Sequence, residues 1–252
     1  ALGTDSSGEG NNMAVSGTMT NTKDNPDNNF ATMNPLTTTS LFGGTYTNGN
    51  ATWVSTASNY RPVFASVGLT AGLWYFECKQ TQKTGTQEFL LGISGDQYTA
   101  DYSGNIQLGY YPMEFSVYWG NGNFYSNNGA TSYGSASAQN DILGCYIDLT
   151  ANKLYFAING TIQNSGTGIT ITPASTTHST MWVPGVSVWS GDQHTCEFNF
   201  GNGYFGTTAI SGAVADAGGE GQFKYNPSTG TFDGSSKDFR AICTNNLGTY
   251  GG

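Results

Sequence analysis

The chain has 252 residues, a net charge of −9 and a charged fraction of only 10%, against roughly 25% in ordinary soluble domains. Lys and Arg together number 8, too few for binding through nucleic-acid phosphates or for electrostatic attachment to anionic membranes. No run approaches the ~20 apolar residues of a membrane span. The 36 Gly, 15 Tyr, 14 Phe and 5 Trp favour strands and turns, because aromatic residues suit a pleated surface and Gly suits turns.

Residues 1–36 are polar and read as an extended arm, with a short strand near Met13–Val15 ordered by packing against something else. No signal peptide is visible, and the abrupt start at Ala1 is expected of a processed product or a piece of something longer. Strands are predicted around Ala51–Ser55 and Val63–Val67, then over Gly72–Lys79, where Trp74, Phe76 and Cys78 share one face. Glu88–Ser94 and Ile106–Tyr111 follow. Ser116–Tyr118 with Phe124–Tyr125 reads as a hairpin around Gly120-Asn121-Gly122.

The clearest segment is Asp141–Gly160. Leu143, Cys145, Ile147 and Leu149 alternate with Gly144, Tyr146 and Asp148; then Leu154, Phe156 and Ile158 alternate with Lys153, Tyr155 and Ala157. Two half-buried antiparallel strands joined at Thr150-Ala151-Asn152 are predicted, because Asn tolerates left-handed backbone angles. Trp182–Trp189 and Thr195–Phe200 complete about ten to twelve strands with turn signals between, the pattern of a β-sandwich or jelly roll. Residues 207–252 read as a Gly-rich tail on the sandwich edge, with a short helical turn near Ser236–Ala241.

The four cysteines have no close-spaced pattern, so no zinc site is predicted. Cys78, Cys145 and Cys196 lie on apolar phases and read as small buried hydrophobes, not disulfides; Cys243 is left open. His178 and His194 read as solvated loop residues. No nucleophile elbow, zinc-protease, P-loop or dinucleotide fingerprint occurs. Glycoside hydrolysis needs two placed carboxyls. Glu77 is the best isolated acid, with Glu88, Asp148 and Glu197 similarly strand-bound, and no cluster forms. Asp96, Asp101 and Asp192 read as turn chemistry, since no loop has calcium-binding spacing. No catalytic residue, metal or cofactor is therefore assigned.

The ordered series GLWYFECK, LLGIS, LGYY with YWGNG, NDILGCYIDLTANKLYFAING, WVPGVSVW and CEFNFG resembles a SPRY domain. Trp74, Glu77, Gly92, Gly144, Asp148, Asn159, Gly160, Asn199, Phe200 and Gly201 occupy that family's positions, with Asn140-Asp141 where Gly-Asp is usual. The flanks TDSSGEGNNMAV, DNPDNNFATMNPL and KDFRAICTNNL resemble segments beside SPRY domains in bacteriophage virion proteins, often tail fibres. The resemblance implies an all-β fold, an antiparallel concanavalin-like sandwich over residues 37–206, with the polar arm 1–36 and the tail 207–252. It also implies recognition without catalysis, a structural hydrogen bond at Glu77, and a place on the virion surface as a tail fibre or decoration module. Expected partners are other virion proteins, further copies of the chain, and a host-surface glycan or protein. A structural protein joining neighbouring subunits is the alternative, and a polysaccharide hydrolase the outsider.

Aromatic residues in loops mark the predicted ligand site: Asp96, Tyr98, Asp101, Tyr102, Tyr110, Tyr111, Trp119 and Tyr125. Flat rings cover the apolar face of a sugar while acids and amides take its hydroxyls, and they serve protein contacts equally well.

Overall fold

A computed structural model describes residues 3–17, 23–37, 44–55, 61–85, 89–96, 106–173, 180–188 and 193–251. Its strands in chain order are β1 (Gly44–Thr47), β2 (Thr52–Ser55), β3 (Arg61–Phe64), β4 (Leu73–Lys83), β5 (Phe89–Gly95), β6 (Glu114–Tyr118) and β7 (Asn123–Ser126). Next come β8 (Gly129–Ser132), β9 (Ile142–Asp148), β10 (Lys153–Ile158), β11 (Thr161–Ile162), β12 (Ile169–Thr170), β13 (Trp182–Val188) and β14 (His194–Asn199). Five two-residue or shorter-paired elements close the chain: β15 (Tyr204–Phe205), β16 (Thr208–Ala209), β17 (Val214–Ala215), β18 (Gln222–Phe223) and β19 (Arg240–Ala241), before the helix α1 (Thr244–Tyr250).

Two sheets form the sandwich. Sheet one runs β1-β2-β14-β4-β9-β10-β11, and sheet two runs β3-β13-β5-β6-β7-β8. All their pairings are antiparallel except β19, which lies parallel to β4 through Arg240 opposite Trp74. The mostly-β sandwich expected from the alternating pattern is present.

The period-two pattern builds the core directly. Trp74, Phe76 and Cys78 from β4, Leu143, Cys145 and Ile147 from β9, and Leu154 and Phe156 from β10 point inward from sheet one. Phe89, Leu91, Ile93, Phe115, Val117, Trp182 and Val186 meet them from sheet two. Trp119 stands edge-on to Phe156 at 5.9 Å, and Phe115 edge-on to Trp182 at 5.6 Å. Each such buried side chain stabilises the fold by roughly 1.5–3 kcal/mol. All four cysteines are free thiols and buried, Cys243 included.

The central hairpin departs from expectation on one point. Its inward residues are as predicted, but its other face is buried too. Tyr75, Tyr146, Tyr155 and Ala157, on the outside of sheet one, lie under a second apolar cluster of Phe30, Phe223, Phe232, Phe239, Ala241 and Cys243. Phe232 and Phe239 approach each other at 4.9 Å, and each sits 5.0 Å from Tyr146. The C-terminal residues therefore cover a sheet face, where an edge was expected.

Three buried acids fasten this cover. Asp148 takes an ion pair from Lys237 Nζ at 2.7 Å. Asp216 accepts the amides of Gly221 and Ala241 and the Asn246 side-chain amide. Glu77 accepts the Lys224 and Tyr225 amides. The single α-helix among the described residues is α1, beyond the turn predicted near Ser236–Ala241; that stretch ends in β19, because its backbone pairs with β4. The arm segment around Met13–Val15 forms no strand: Met13 N–H bonds Gly3 O, and Asp5 gathers the Ser7 and Asn11 amides into a local loop. No helix among the described residues is long and apolar enough to cross a membrane.

Candidate recognition surface

The outside of sheet two is built differently. Its outward residues include Leu90, Ser94, Glu114, Ser116, Tyr118, Tyr125 and Ser187, by alternation with the core residues between them. The segment 106–111 lies across them, where a strand over Ile106–Tyr111 was expected. It makes no strand because its amides at 108, 109 and 111 and its carbonyl at 108 bond side chains, and others close local turns and the β7–β8 turn. Leu108 N–H donates to Ser187 Oγ at 3.0 Å, and Ser116 Oγ–H donates to Leu108 O at 2.7 Å. Glu114 Oε2 accepts Gly109 N–H at 3.1 Å and Tyr111 N–H at 3.0 Å, and its Oε1 takes the Ser94 hydroxyl at 3.4 Å. Burial pushes the Glu114 carboxyl up to about 7, against the downward pull of the Tyr111 and Gly109 amides.

Gly109 is required at the crossing. Its φ is +100°, and a Cβ there would lie 2.8 Å from Tyr125 Cβ. This clamp sets the rings around it. Tyr110 is 39% exposed and stands edge-on to Tyr111 at 5.3 Å. Tyr118 and Tyr125 are half-buried, edge-on at 6.1 Å. Leu90, Gln107, Tyr118 and Tyr125 line a cavity of ≈ 140 Å³ between them. No Lys or Arg occurs between Lys83 and Lys153, so this stretch brings no cation to the surface; the side chains that line it are uncharged, Leu90, Gln107, Tyr118 and Tyr125, in a stretch rich in Tyr, Asn, Ser and Gly. That is the composition of antibody paratopes, where Tyr supplies rigid contact area and Ser, Gly and Asn supply adaptable hydrogen bonds.

The structure sorts the eight predicted site residues. Tyr110, Tyr111 and Tyr125 come together on this surface. Trp119 does not: it is 0% exposed and belongs to the core, a correction with a simple cause. Phe115, Val117 and Trp119 share the inward phase of β6, so the ring faces Phe156. Asp96 ends β5 and accepts both the amide and hydroxyl of Thr180, at 2.9 and 2.6 Å, which makes it a link between loops. Tyr98, Asp101 and Tyr102 lie outside the described residues, as do Glu88, His178 and Asp192. The sequence reading missed Tyr118, Gln107 and Leu90. The alternation that sends Val117 inward sends Tyr118 outward, and that signal was available.

The remaining titratable groups hold structure. Glu77 is 0% exposed. Its Oε1 accepts Tyr225 N–H at 2.9 Å and Tyr75 O–H at 3.2 Å; its Oε2 accepts Asn199 Nδ2 and Lys224 N–H, each at 3.0 Å. Burial raises its carboxyl to about 7, and those four donors pull it back toward its ordinary range. His194 is a second correction. It is fully buried on β14, in phase with Cys196 and Phe198, and its Nδ1 lies 2.8 Å from Gln80 Nε2. No group of three or more His, Cys, Asp or Glu able to hold a metal occurs among the described residues.

Comparison with known proteins agrees with this architecture. The SPRY domain family model matches residues 73–203, more than half of the 252. The solved structure of the SPRY domain of human HERC1 is similar over 66% of this chain and 96% of that one, at 17% identity and a TM-score of 0.50. A stonustoxin structure aligns over 67% of this chain at 18% identity and a TM-score of 0.48, and this chain spans 27% of its length. None of the curated proteins matches. From the Trp74–Glu77 strand to the Asn199-Phe200-Gly201 close, the chain belongs to the SPRY family.

Proposed function

We propose that this chain is a non-catalytic recognition module on the surface of a phage particle, a tail fibre or decoration element that holds a host-surface protein or glycan. The observation that carries the reading is the neutral tyrosine surface on sheet two, clamped from beneath by Glu114. SPRY domains are generally interaction modules without catalysis, and here the most buried acids are occupied as backbone acceptors. The virion setting is supported by the flanking segments 24–36 and 237–247, which resemble those of phage proteins. These two segments bond to each other: Ala31 N–H donates to Ile242 O, and Thr244 N–H to Asn29 O. Many copies on one particle would turn weak single contacts into firm attachment.

The test is adsorption of particles, or of the isolated protein, to host envelopes with Tyr118→Ala and Tyr125→Ala. Loss of at least about tenfold in binding, with the thermal midpoint nearly unchanged, supports the reading; a hot-spot ring is worth this much or more. Undiminished adsorption by the double variant overturns it. The second reading, a structural protein joining virion subunits, is favoured by Met13, Val15 and Leu36, exposed at 74%, 45% and 89%. Incorporation into particles that fails on Met13→Asp and Leu36→Asp, with adsorption of free protein intact, would select it.

A further inference from the structure

Away from the tyrosine surface, three segments distant in sequence meet around a cavity of ≈ 350 Å³. They are the arm at Asp24 and Thr32, the β1–β2 turn at Asn48, Gly49 and Ala51, and the loop at Asn202, Tyr204, Gly206 and Thr207. We propose that this cavity is a second binding site, for a single neutral sugar ring.

The walls are fixed from behind. Ala51 O accepts Phe198 N–H at 2.7 Å, and Asn50 O accepts Met33 N–H at 3.0 Å. Buried Asn199 Oδ1 takes the amides of Gly201 and Gly203, which sets the course of the third wall. Asn48, Gly49 and Asn50 all have left-handed backbone, at φ 53°, 63° and 65°, a run that small or amide-bearing residues tolerate and that recurs at functional turns. A cavity held this way needs little reordering when it is filled.

The lining keeps open polar atoms. Asp24 Oδ1 accepts Phe30 N–H and Asn202 Oδ1 accepts Tyr204 N–H. Asn48 Nδ2 donates to Thr52 Oγ1. Asp24 Oδ2, Asn48 Oδ1, Asn202 Nδ2 and the Thr207 hydroxyl make no hydrogen bond within the described residues. A carboxylate and an amide oxygen accept from hydroxyls, an amide nitrogen donates to them, and Ala51 and Tyr204 add apolar atoms to the lining. A ring of vicinal hydroxyls with C–H bonds on its faces satisfies all of these. Among the described residues no Lys or Arg lines the cavity, and Asp24 together with the net charge of −9 disfavours phosphates and sugar acids. The volume lies at the low end for small-molecule sites, ~300–1,000 Å³, and suits one ring with its substituents.

The test is isothermal titration and saturation-transfer NMR of the full chain with glucose, galactose, mannose and N-acetylglucosamine, with glucuronate as the charged control. The expected result is saturable binding of at least one neutral sugar with Kd on the order of millimolar, and no binding of glucuronate. Asn202→Ala and the pocket-filling Thr207→Trp each weaken it at least tenfold. Tyr125→Ala leaves it unchanged, which separates this site from the sheet-two surface. Circular dichroism on each variant verifies folding, and Thr207 is exposed, so its replacement leaves the buried walls in place. Absence of saturation by all four neutral sugars at 50-fold above that concentration range, equal binding by Thr207→Trp, or loss on Tyr125→Ala would overturn the proposal.

Discussion

The two outer faces of this sandwich use one device for opposite ends. On sheet one, buried Glu77 draws in the amides of residues 224 and 225, and the chain that follows brings Phe232 and Phe239 onto Tyr146. The face is sealed. On sheet two, buried Glu114 draws in the amides of residues 109 and 111, but the segment it holds is short and leaves Tyr110, Tyr118 and Tyr125 partly open. Charge follows the same division. Lys153 and Lys237 serve Asp233 and Asp148 on the sealed side, whereas β5 to β8, which build most of the open side, carry no Lys or Arg. One carboxylate completes a core; the other presents a surface.

The comparison breaks first on the sealed side. Phe239→Ala removes a fully buried ring with three aromatic neighbours and should cost about 3–5 kcal/mol in urea unfolding. A cost below about 1 kcal/mol would mean the cover is not part of the fold. Glu77→Ala leaves two backbone amides and the Tyr75 and Asn199 donors without an acceptor, so a loss of about 3 kcal/mol or more is expected by the same measurement.

Acidity acts on both faces together. Each glutamate rises from 4.5 to about 7 on folding. The folded state therefore binds protons more tightly, and the associated stability is fully present below about 4.5 and lost as pH rises through about 7. Unfolding free energy should be higher at pH 5 than at pH 8, by about 1–3 kcal/mol. Glu114→Gln should flatten part of that slope; an unaltered slope would remove Glu114 from the explanation. Asp233 titrates the other way, its carboxyl held down chiefly by the Gly168 amide, and so it acts only below that window.

The smallest stability effect is expected on the open side. Tyr125→Ala truncates a half-buried ring beside solvent and should cost under about 1.5 kcal/mol in thermal unfolding. A larger cost would show that the tyrosine surface is a packed layer like that of sheet one.

Period-two alternation made the strands, the inner faces and the family legible, because each inward residue has a partner of the same phase across the sandwich. The same rule, applied one residue at a time, places Trp119 and His194 inside and Tyr118 outside; treating Trp119 and His194 as loop residues set that rule aside. The sealed face was not legible. Phe223, Phe232 and Phe239 stand singly in Gly-rich coil, with no period to say that they meet on Tyr146. The path of 106–111 was hidden for a related reason: an apolar run reads as a strand, while its amides at 108, 109 and 111 go to Ser187 and Glu114 and its 108 carbonyl to Ser116.

The late cover has a consequence for synthesis. Residues 30 and 31 meet residues 242 and 243, and β4 pairs in part with β19. Translation adds about 5–20 residues per second, so the strands of both sheets emerge seconds before the chain that covers Tyr75, Tyr146 and Tyr155. In that interval the growing polypeptide presents three bare aromatic rings and a buried-type carboxylate to its surroundings. A ribosome stalled before residue 223 would leave them bare, a sticky intermediate that a chaperone or a neighbouring chain would find first.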